Sequence, residues 1–294
     1  CRQADHRQFL PLVPQSAGPT RERIGVSDRL RVTILGCGAS AGTPRVSGDW
    51  GACDPGNPKN RRLRCSALVE RVSAAGTTIV VIDCGPDFHQ QMVRAKVSRL
   101  DGAVITHPHA DHIHGLDDLR GYFLDARRRV DVYCDDETFD RLLEAFGYCF
   151  RSPPGSAYPP IVERVQIVDR EPFEIVGPGG PIRFDPFRQI HGGIHSLGFR
   201  IGPLAYCSDV SDFPEPAQAR IRGADVLVVD ALQYRTHPSH LSLDEALDWI
   251  ERLGVGRAVL THMHTALDYE TLRRELPDHI QPAYDGLVLE LPVS

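Results

Sequence analysis

Hydrophobic and polar positions along this chain fall into short runs whose period changes often enough to mark out elements. Arg31–Leu35 alternates with period two and predicts a strand, as do Ser66–Glu70 and Thr77–Ile82. A helical stretch around Phe88–Val97 leads to Gly102–Thr106, a continuous apolar run that reads as a buried strand. Residues 137–149 read as helix, and Arg151–Pro160, rich in Pro, Gly and Ser, as a loop. Strands are expected again at 162–168, 181–189, 197–201, 203–208 and 225–229. Ser242 with Glu245 three positions on predicts a capping box opening a helix that Gly254 ends. Leu243, Leu247 and Ile250 give its expected buried stripe. A strand at Arg257–Thr261, a helix near Asp268–Leu276 and a strand at Gly286–Leu291 complete the pattern. Residues 1–30 are polar and poorly patterned, with Pro11, Pro14 and Pro19, and predict a tail outside a single domain spanning 31–294.

Composition narrows the class. The 294 residues are 41% hydrophobic and 24% charged, the balance of a soluble globular protein. A net charge of −6 argues against a stable, non-specific nucleic-acid complex. No apolar run approaches the ~20 residues of a membrane span, so no membrane partner is expected. The eight cysteines include no C-x-x-C pair. Cys65, Cys84 and Cys207 adjoin strand-like runs and read as reduced core residues, which favours the cytoplasm. The chain opens on Cys1 rather than methionine, which suggests a processed or truncated start. A homodimer is compatible with all of this and is not required by it.

Chemistry concentrates in Thr106-His-Pro-His-Ala-Asp-His112. Three imidazoles and a carboxylate sit within six positions, at the end of an apolar strand where ligands are commonly mounted. Nitrogen and carboxylate donors together suit zinc, iron or manganese. His107 and His109 can share one ion, and the Asp111–His112 pair, further on, can reach a second. Other strand ends add His191, Asp209 and His262. Taken singly, Asp209 reads equally as a turn former, and the two histidines as satisfied core residues. His195 rivals His191 and His264 rivals His262, each lying further from its strand end. Gly36–Thr43 is glycine-rich but lacks the Gly-Lys-Ser/Thr of a phosphate-binding P-loop.

The pattern H-x-H-x-D-H resembles the signature of the metallo-β-lactamase superfamily. That resemblance implies an α/β fold, an αββα four-layer sandwich, and two divalent ions, zinc or manganese. It implies that His107, His109 and His191 hold one ion, that Asp111, His112 and His262 hold the other, and that Asp209 bridges them with a shared hydroxide. Two such ions, two carboxylates and a hydroxide leave one net positive charge, poised for an anionic substrate. Asp83, at the end of its strand, is expected to brace the histidine loop rather than bind metal.

From about Arg31 onward the chain is similar to one branch, the phosphodiesterase of the carbon–phosphorus lyase pathway, which opens 5-phosphoribosyl 1,2-cyclic phosphate. The marks are Leu35-Gly-Cys-Gly, Arg61-Arg-Leu-Arg-Cys-Ser66, Ile82-Asp-Cys-Gly, the Thr106–His112 run, Ser208-Asp209, Ser239-His-Leu-Ser242, Leu260-Thr-His262 and Tyr284-Asp-Gly286. The resemblance makes His240 a general acid, catalytic together with Asp111, and implies a small cyclic phosphate or nucleotide phosphodiester as substrate. His240 also lies two residues before a helix N-cap, where N–H groups and a dipole attract phosphate. Alone it would read as a solvated loop histidine, as His237 does. Arg61, Arg62 and Arg64 form a basic cluster suited to a terminal phosphate, although surface solvation explains them equally.

The chain departs from that branch where a structural zinc is often held by three cysteines and a histidine. Only Cys53 stands in the first region, and Thr265 takes the later position, so no structural zinc is expected. Competing readings are a tRNA 3′-processing nuclease, a glyoxalase-type thioesterase, a true β-lactamase and a non-catalytic metal-dependent binding protein. The net charge speaks against the first. The thioesterase usually adds a helical C-terminal domain, not found here. The β-lactamase usually has cysteine where Asp209 stands, and the binding protein tends to lose ligands.

Overall fold

The computed structural model describes residues 28–152 and 154–293. Its first half runs β1 (Arg29–Gly36), β2 (Ser66–Ser73), β3 (Gly76–Ile82), α1 (Phe88–Ala95), β4 (Gly102–Val104), α2 (Ala110–Ile113), α3 (Arg120–Ala126), β5 (Val130–Cys134), α4 (Asp136–Phe150) and β6 (Val162–Gln166). The second half runs β7 (Phe173–Gly177), β8 (Gly180–His191), β9 (Ile194–Ile201), β10 (Leu204–Cys207), α5 (Glu215–Ile221), β11 (Val226–Asp230), α6 (Leu243–Leu253), β12 (Arg257–Thr261), α7 (Tyr269–Glu275), β13 (Ile280–Pro282) and β14 (Val288–Pro292). Two seven-stranded sheets result, ordered β14-β1-β2-β3-β4-β5-β6 and β13-β12-β11-β10-β9-β8-β7. Each is antiparallel on one side and parallel on the other, changing at β3 in the first and at β10 in the second.

The period-two pattern of the early strands is resolved by two cores. Val32, Ile34, Val69, Val80, Ile82 and Val104 point between the sheets, against Phe184, Phe187 and Phe199. Their neighbours Leu35, Leu68, Val81, Ala103 and Ile105 point the other way, under Phe88, Met92, Leu142 and Phe150 of the flanking helices. Because both faces are covered, β4, β10 and β11 are buried at every position, as parallel strands require. Each fully buried side chain of this size contributes roughly 1.5–3 kcal/mol. On the far side of the second sheet, Ala217, Ile221, Trp249, Leu253 and Leu272 pack from α5, α6 and α7. The layers are therefore helix, sheet, sheet, helix, the expected four-layer sandwich.

Several expectations need correction. Strand β1 begins at Arg29, inside the expected tail, because Arg29 and Arg31 flank Glu290 of β14. The rest of that tail, residues 1–27, lies outside the described residues. The capping box of α6 forms in both directions, and Gly254 ends the helix at φ 65°. Its buried stripe is Leu243, Ala246, Trp249, Ile250 and Leu253, with Leu247 only partly buried on the flank. The pattern missed β5, β7, β13, α2, α3 and α5. Helix α3 buries no residue, so it carries no stripe to read. Strand β5 follows directly on Arg127, Arg128 and Arg129, whose charges hide its start. Among the described residues no helix is long and apolar enough to cross a membrane.

Candidate metal centre

The site gathers at strand ends. The loop after β4 carries His107 to His112, β8 ends on His191, Asp209 follows β10, Asp230 ends β11 and His262 follows β12. Open α/β sheets generally place ligands outside the C-terminal ends of their strands. Asp83, Asp209 and His262 all adopt positive φ, at 66°, 52° and 55°, in the left-handed region that non-glycine residues avoid. Such a conformation costs about 1–3 kcal/mol and persists where its surroundings over-determine it. Here they do: Asp83 N–H donates to the Val104 carbonyl at 2.8 Å, and the Asp209 carbonyl accepts from Ser196 Oγ at 2.7 Å.

One donor atom each from His107, His109 and His191 lie within 4.8 Å of one another, and so do atoms from Asp111, His112, Asp209 and His262. Asp209 joins the two groups. One of its oxygens is 3.3 Å from His112 Nε2, and the other is 3.2, 3.7 and 3.9 Å from Nε2 of His262, His107 and His191. Asp111 Oδ2 is 3.5 Å from His112 Nε2 and 3.6 Å from His262 Nε2.

Hydrogen bonds outside the cluster set the tautomers. His112 Nδ1–H donates to Asp83 Oδ2 at 2.7 Å, and His191 Nδ1–H donates to the Ser239 carbonyl at 2.6 Å. Thr106 Oγ1 donates to Asp83 and so accepts from His107 Nδ1–H at 2.9 Å. Each arrangement turns an Nε2 lone pair inward. Asp83 thus braces the histidine loop, as its strand-end position led us to expect.

Apart from His191 Nε2 and His109 Nδ1, which lie 3.1 Å apart, the inward atoms do not satisfy one another. Nε2 of His107, His112 and His262, with Asp111 Oδ2 and Asp209 Oδ1, are buried and have no hydrogen-bond partner. A single such atom ordinarily costs about 1–3 kcal/mol, so five within the two adjoining groups describe a cation site. The electrostatics of the first group agree. Burial lowers the pKa of His107 and His109 and takes His191 down to about 4, holding all three imidazoles neutral, as metal donors must be. Burial alone would raise Asp209 and Asp111, but His112, helped by His262, pulls both well below the usual carboxylate range. His112 itself is disfavoured as a cation by burial, yet Asp209, Asp111 and Asp83 raise it well above its ordinary value. The donor set, nitrogen and carboxylate oxygen, fits divalent zinc or manganese.

The structure brings together His107, His109, Asp111, His112, His191, Asp209 and His262. Of the rivals, His195 is exposed and outside both groups, and His264 Nε2 accepts from Arg45 at 2.6 Å instead. His240 borders the cluster, stacked on His262 with ring centres 4.6 Å apart and edge-on to His191 at 4.6 Å. The helix start beside it is closed to ligands. Leu243 N–H donates to the Gln233 carbonyl, and the Glu245 carboxylate occupies the capping box. The expectation that these N–H groups hold phosphate is therefore withdrawn.

Arg62 must also be withdrawn as a phosphate ligand. Its guanidinium is buried and donates to the carbonyls of His264 at 3.2 Å and Leu267 at 2.5 Å, and to Asn60 Oδ1 at 3.3 Å. Arg64 pairs with Asp87 at 3.0 Å, and Arg61 lies over the Trp50 ring. Around Arg62, Asn60 donates to Asp268 and Ala52 N–H to the Thr265 carbonyl, while Cys53 Sγ–H points to the Leu267 carbonyl. These contacts tie the segment around Cys53 and Asn60 to residues 264–268 through a polar network.

Sequence reading missed Asp230. Its Oδ2 accepts from His240 Nδ1–H at 2.6 Å and from Val210 N–H at 3.0 Å, and its Oδ1 lies 3.8 Å from His262 Nδ1. The signal was present. Val226–Asp230 is an apolar strand ending on a carboxylate, the arrangement that singled out Asp209.

Residues 78–263 match the model of a beta-lactamase superfamily domain. An octanoyltransferase of Porphyromonas gingivalis (strain ATCC BAA-308 / W83) is 34% identical over 263 residues, covering 88% of this chain and 51% of that protein. The chain thus spans about half the length of that relative. A ribonuclease Z of Mycobacterium sp. (strain KMS) is 27% identical over 266 residues, covering 79% of this chain and 84% of that protein. Among solved structures, a diphosphatase from the PhnP family superposes with a TM-score of 0.80 at 36% identity, covering 90% of this chain and 97% of the other.

Proposed function

This chain belongs to the beta-lactamase superfamily, and from that premise we propose that it is a metal-dependent hydrolase of small phosphorylated substrates. The bond broken is to a phosphorus bridged through two oxygens, as in a cyclic phosphate, a nucleotide phosphodiester or a diphosphate. The observation that carries this reading is the convergence of five orphaned buried donors beside His240. His107, His109 and His191 would hold one divalent ion, Asp111, His112 and His262 a second, with Asp209 shared. When bound, such a pair supplies positive charge to a phosphoryl group and makes a water acidic enough to act as nucleophile near neutral pH.

The chain's own residues supply the rest. Asp83, Thr106 and Ser239 hold three imidazoles in the tautomer that donates inward. Asp111, fixed between His112 and His262, orders the second group of donors. Asp230 holds the Nδ1 proton of His240 and leaves Nε2 to carry the proton that a departing oxygen needs. The name of the 36% identical neighbour, a diphosphatase, supports chemistry at phosphorus. The octanoyltransferase name bears less on this domain, since half of that protein lies outside the matched stretch.

The test is a substrate panel on the zinc- or manganese-loaded protein: bis(p-nitrophenyl) phosphate, a 2′,3′-cyclic nucleotide, a diphosphate-linked nucleotide, a precursor tRNA, a thioester and a β-lactam. Turnover of one of the first three is expected. Cleavage confined to the tRNA, or to the thioester or β-lactam, would overturn the reading. So would metal binding without any turnover, which would leave a binding protein.

A further inference from the structure

At the end of the sandwich opposite the metal cluster, a cleft of about 520 Å³ opens, a size usual for small-molecule sites. Strand β8 spans both ends. Ile182 lies at the cleft and His191 at the cluster, with roughly 30 Å of extended chain between them. Leu30 of β1, Ile182 of β8 and Ile201 of β9 form the floor, and all three belong to the core between the sheets. Pro181, Pro203 and Pro292 extend this apolar surface. Among the described residues no aromatic ring lines the cleft, so it offers no face on which a nucleobase could stack.

Guanidinium groups line the same cleft. Arg71, Arg183, Arg200, Arg220 and Arg222 contribute to its walls, against Asp185 as the single carboxylate among the described lining residues. Three of the five are ion-paired: Arg71 with Asp28 at 3.0 Å, Arg183 with Asp185 at 3.2 Å and Arg222 with Glu215 at 2.9 Å. The last two pairs are largely exposed, and such pairs are weak and exchange readily for another anion.

Arg200 rests instead on backbone. Its Nη2 donates to the Gly223 carbonyl at 2.8 Å, its Nη1 to the Ile221 carbonyl at 3.3 Å and its Nε to the Gly202 carbonyl. It thus caps the C-terminal end of α5, where a cation is favoured. Burial disfavours its charge, and Asp225 and Asp185 offset that only from a distance. Arg220, on the last turn of α5, joins none of the three ion pairs. An aliphatic floor favours an apolar body, and guanidinium walls favour an acidic head on it.

We propose that this cleft binds a free amphiphilic anion, an aliphatic chain with a carboxylate head that Arg220 and Arg183 hold. The site is separate from the metal cluster, and the inference does not depend on the function proposed above.

The experiment is calorimetric titration of the metal-loaded full chain with decanoate, decyltrimethylammonium and acetate. Decanoate should bind roughly 10-fold or more tightly than either of the others, since only it matches both floor and walls. Arg220→Ala and Arg183→Ala should each weaken decanoate by roughly 10-fold, the worth of a charged hydrogen bond. Ala219→Trp, at an exposed position of α5 that lines the cleft, should fill it and abolish binding. Decanoate should still bind after chelation of the metal and should leave the KM for bis(p-nitrophenyl) phosphate unchanged. Equal affinity for acetate would mark a simple anion site, and equal affinity for decyltrimethylammonium an unselective apolar one; either overturns the proposal. Binding that vanishes on chelation yet survives Arg220→Ala would put the carboxylate on the metal cluster and overturns it too. So does sedimentation with phosphatidylglycerol vesicles without binding of free decanoate, which would mark a membrane surface.

Discussion

Asp230 grips His240 at 2.6 Å with one oxygen and reaches to 3.8 Å from His262 Nδ1 with the other. One carboxylate thereby anchors His240 by a hydrogen bond and stands beside His262 without bonding it. His240→Ala is expected to slow hydrolysis of alkyl phosphodiesters by about 10²–10⁴-fold, the usual worth of general acid catalysis, and p-nitrophenyl esters far less. Asp230→Asn should show the same selectivity at smaller amplitude. Steady-state kinetics on the two ester classes decides it, and equal losses on both would remove His240 from the acid role. Burial holds His240 below its ordinary pKa. Its protonated fraction therefore falls as pH rises through that lowered value, and kcat/KM for alkyl esters should fall with it. The limb should be missing from the pH profile of His240→Ala.

Removing metal should cost stability as well as activity. A cation that binds the folded chain alone adds roughly 4 kcal/mol at a thousandfold excess over its dissociation constant. Chelation should accordingly lower the melting temperature by several degrees, and zinc or manganese should restore it. Asp209→Ala, which deletes the carboxylate proposed to be shared, should reduce metal content by elemental analysis and blunt the response to chelator. Unchanged metal in that variant would contradict its shared position.

Arg62 tests the corrected role of the arginine cluster. Arg62→Ala strips the carbonyls of His264 and Leu267 of a donor and leaves a cavity, so a loss of about 3 kcal/mol in urea unfolding is expected. Arg61→Ala, at the exposed surface, should stay within about 0.5 kcal/mol of wild type. A neutral Arg62→Ala would show that the polar network is not what ties these segments together.

Asp285 gives stability a pH dependence. Burial raises its pKa to about 7, against two N–H donors, from Leu63 and Cys37, that favour the anion. With the folded value above the unfolded one, its contribution is complete below about pH 3.9 and is lost as pH rises to about 7. The loss is roughly 4 kcal/mol over that window, at 1.36 kcal/mol per pKa unit. Asp285→Asn should be less stable than wild type at pH 4 and close much of that gap by pH 8, as measured by denaturant midpoints. A gap independent of pH would show that Asp285 titrates normally.

Local pattern located most of the strands, β5, β7 and β13 excepted, and marked imidazoles and carboxylates at strand ends as candidate donors. Burial on both faces leaves an apolar run, and an apolar run ending on His107, Asp209 or His262 is visible without any partner. The capping box of α6 was legible for the same reason, since Ser242 and Glu245 act on each other across one turn. Asp230 was written in the same form and needed only the same reading. The arginines were different. Arg62 and Arg45 are chemically alike in the chain, yet one is buried on backbone carbonyls over 200 residues away and the other rests on His264, partly open to solvent. A guanidinium takes its role from whatever carbonyl, carboxylate or ring it meets, and those meetings are made where the connection between β1 and β2 packs against the residues after β12. Tertiary structure alone decided which positive charge is buried in the fold and which stays at the surface.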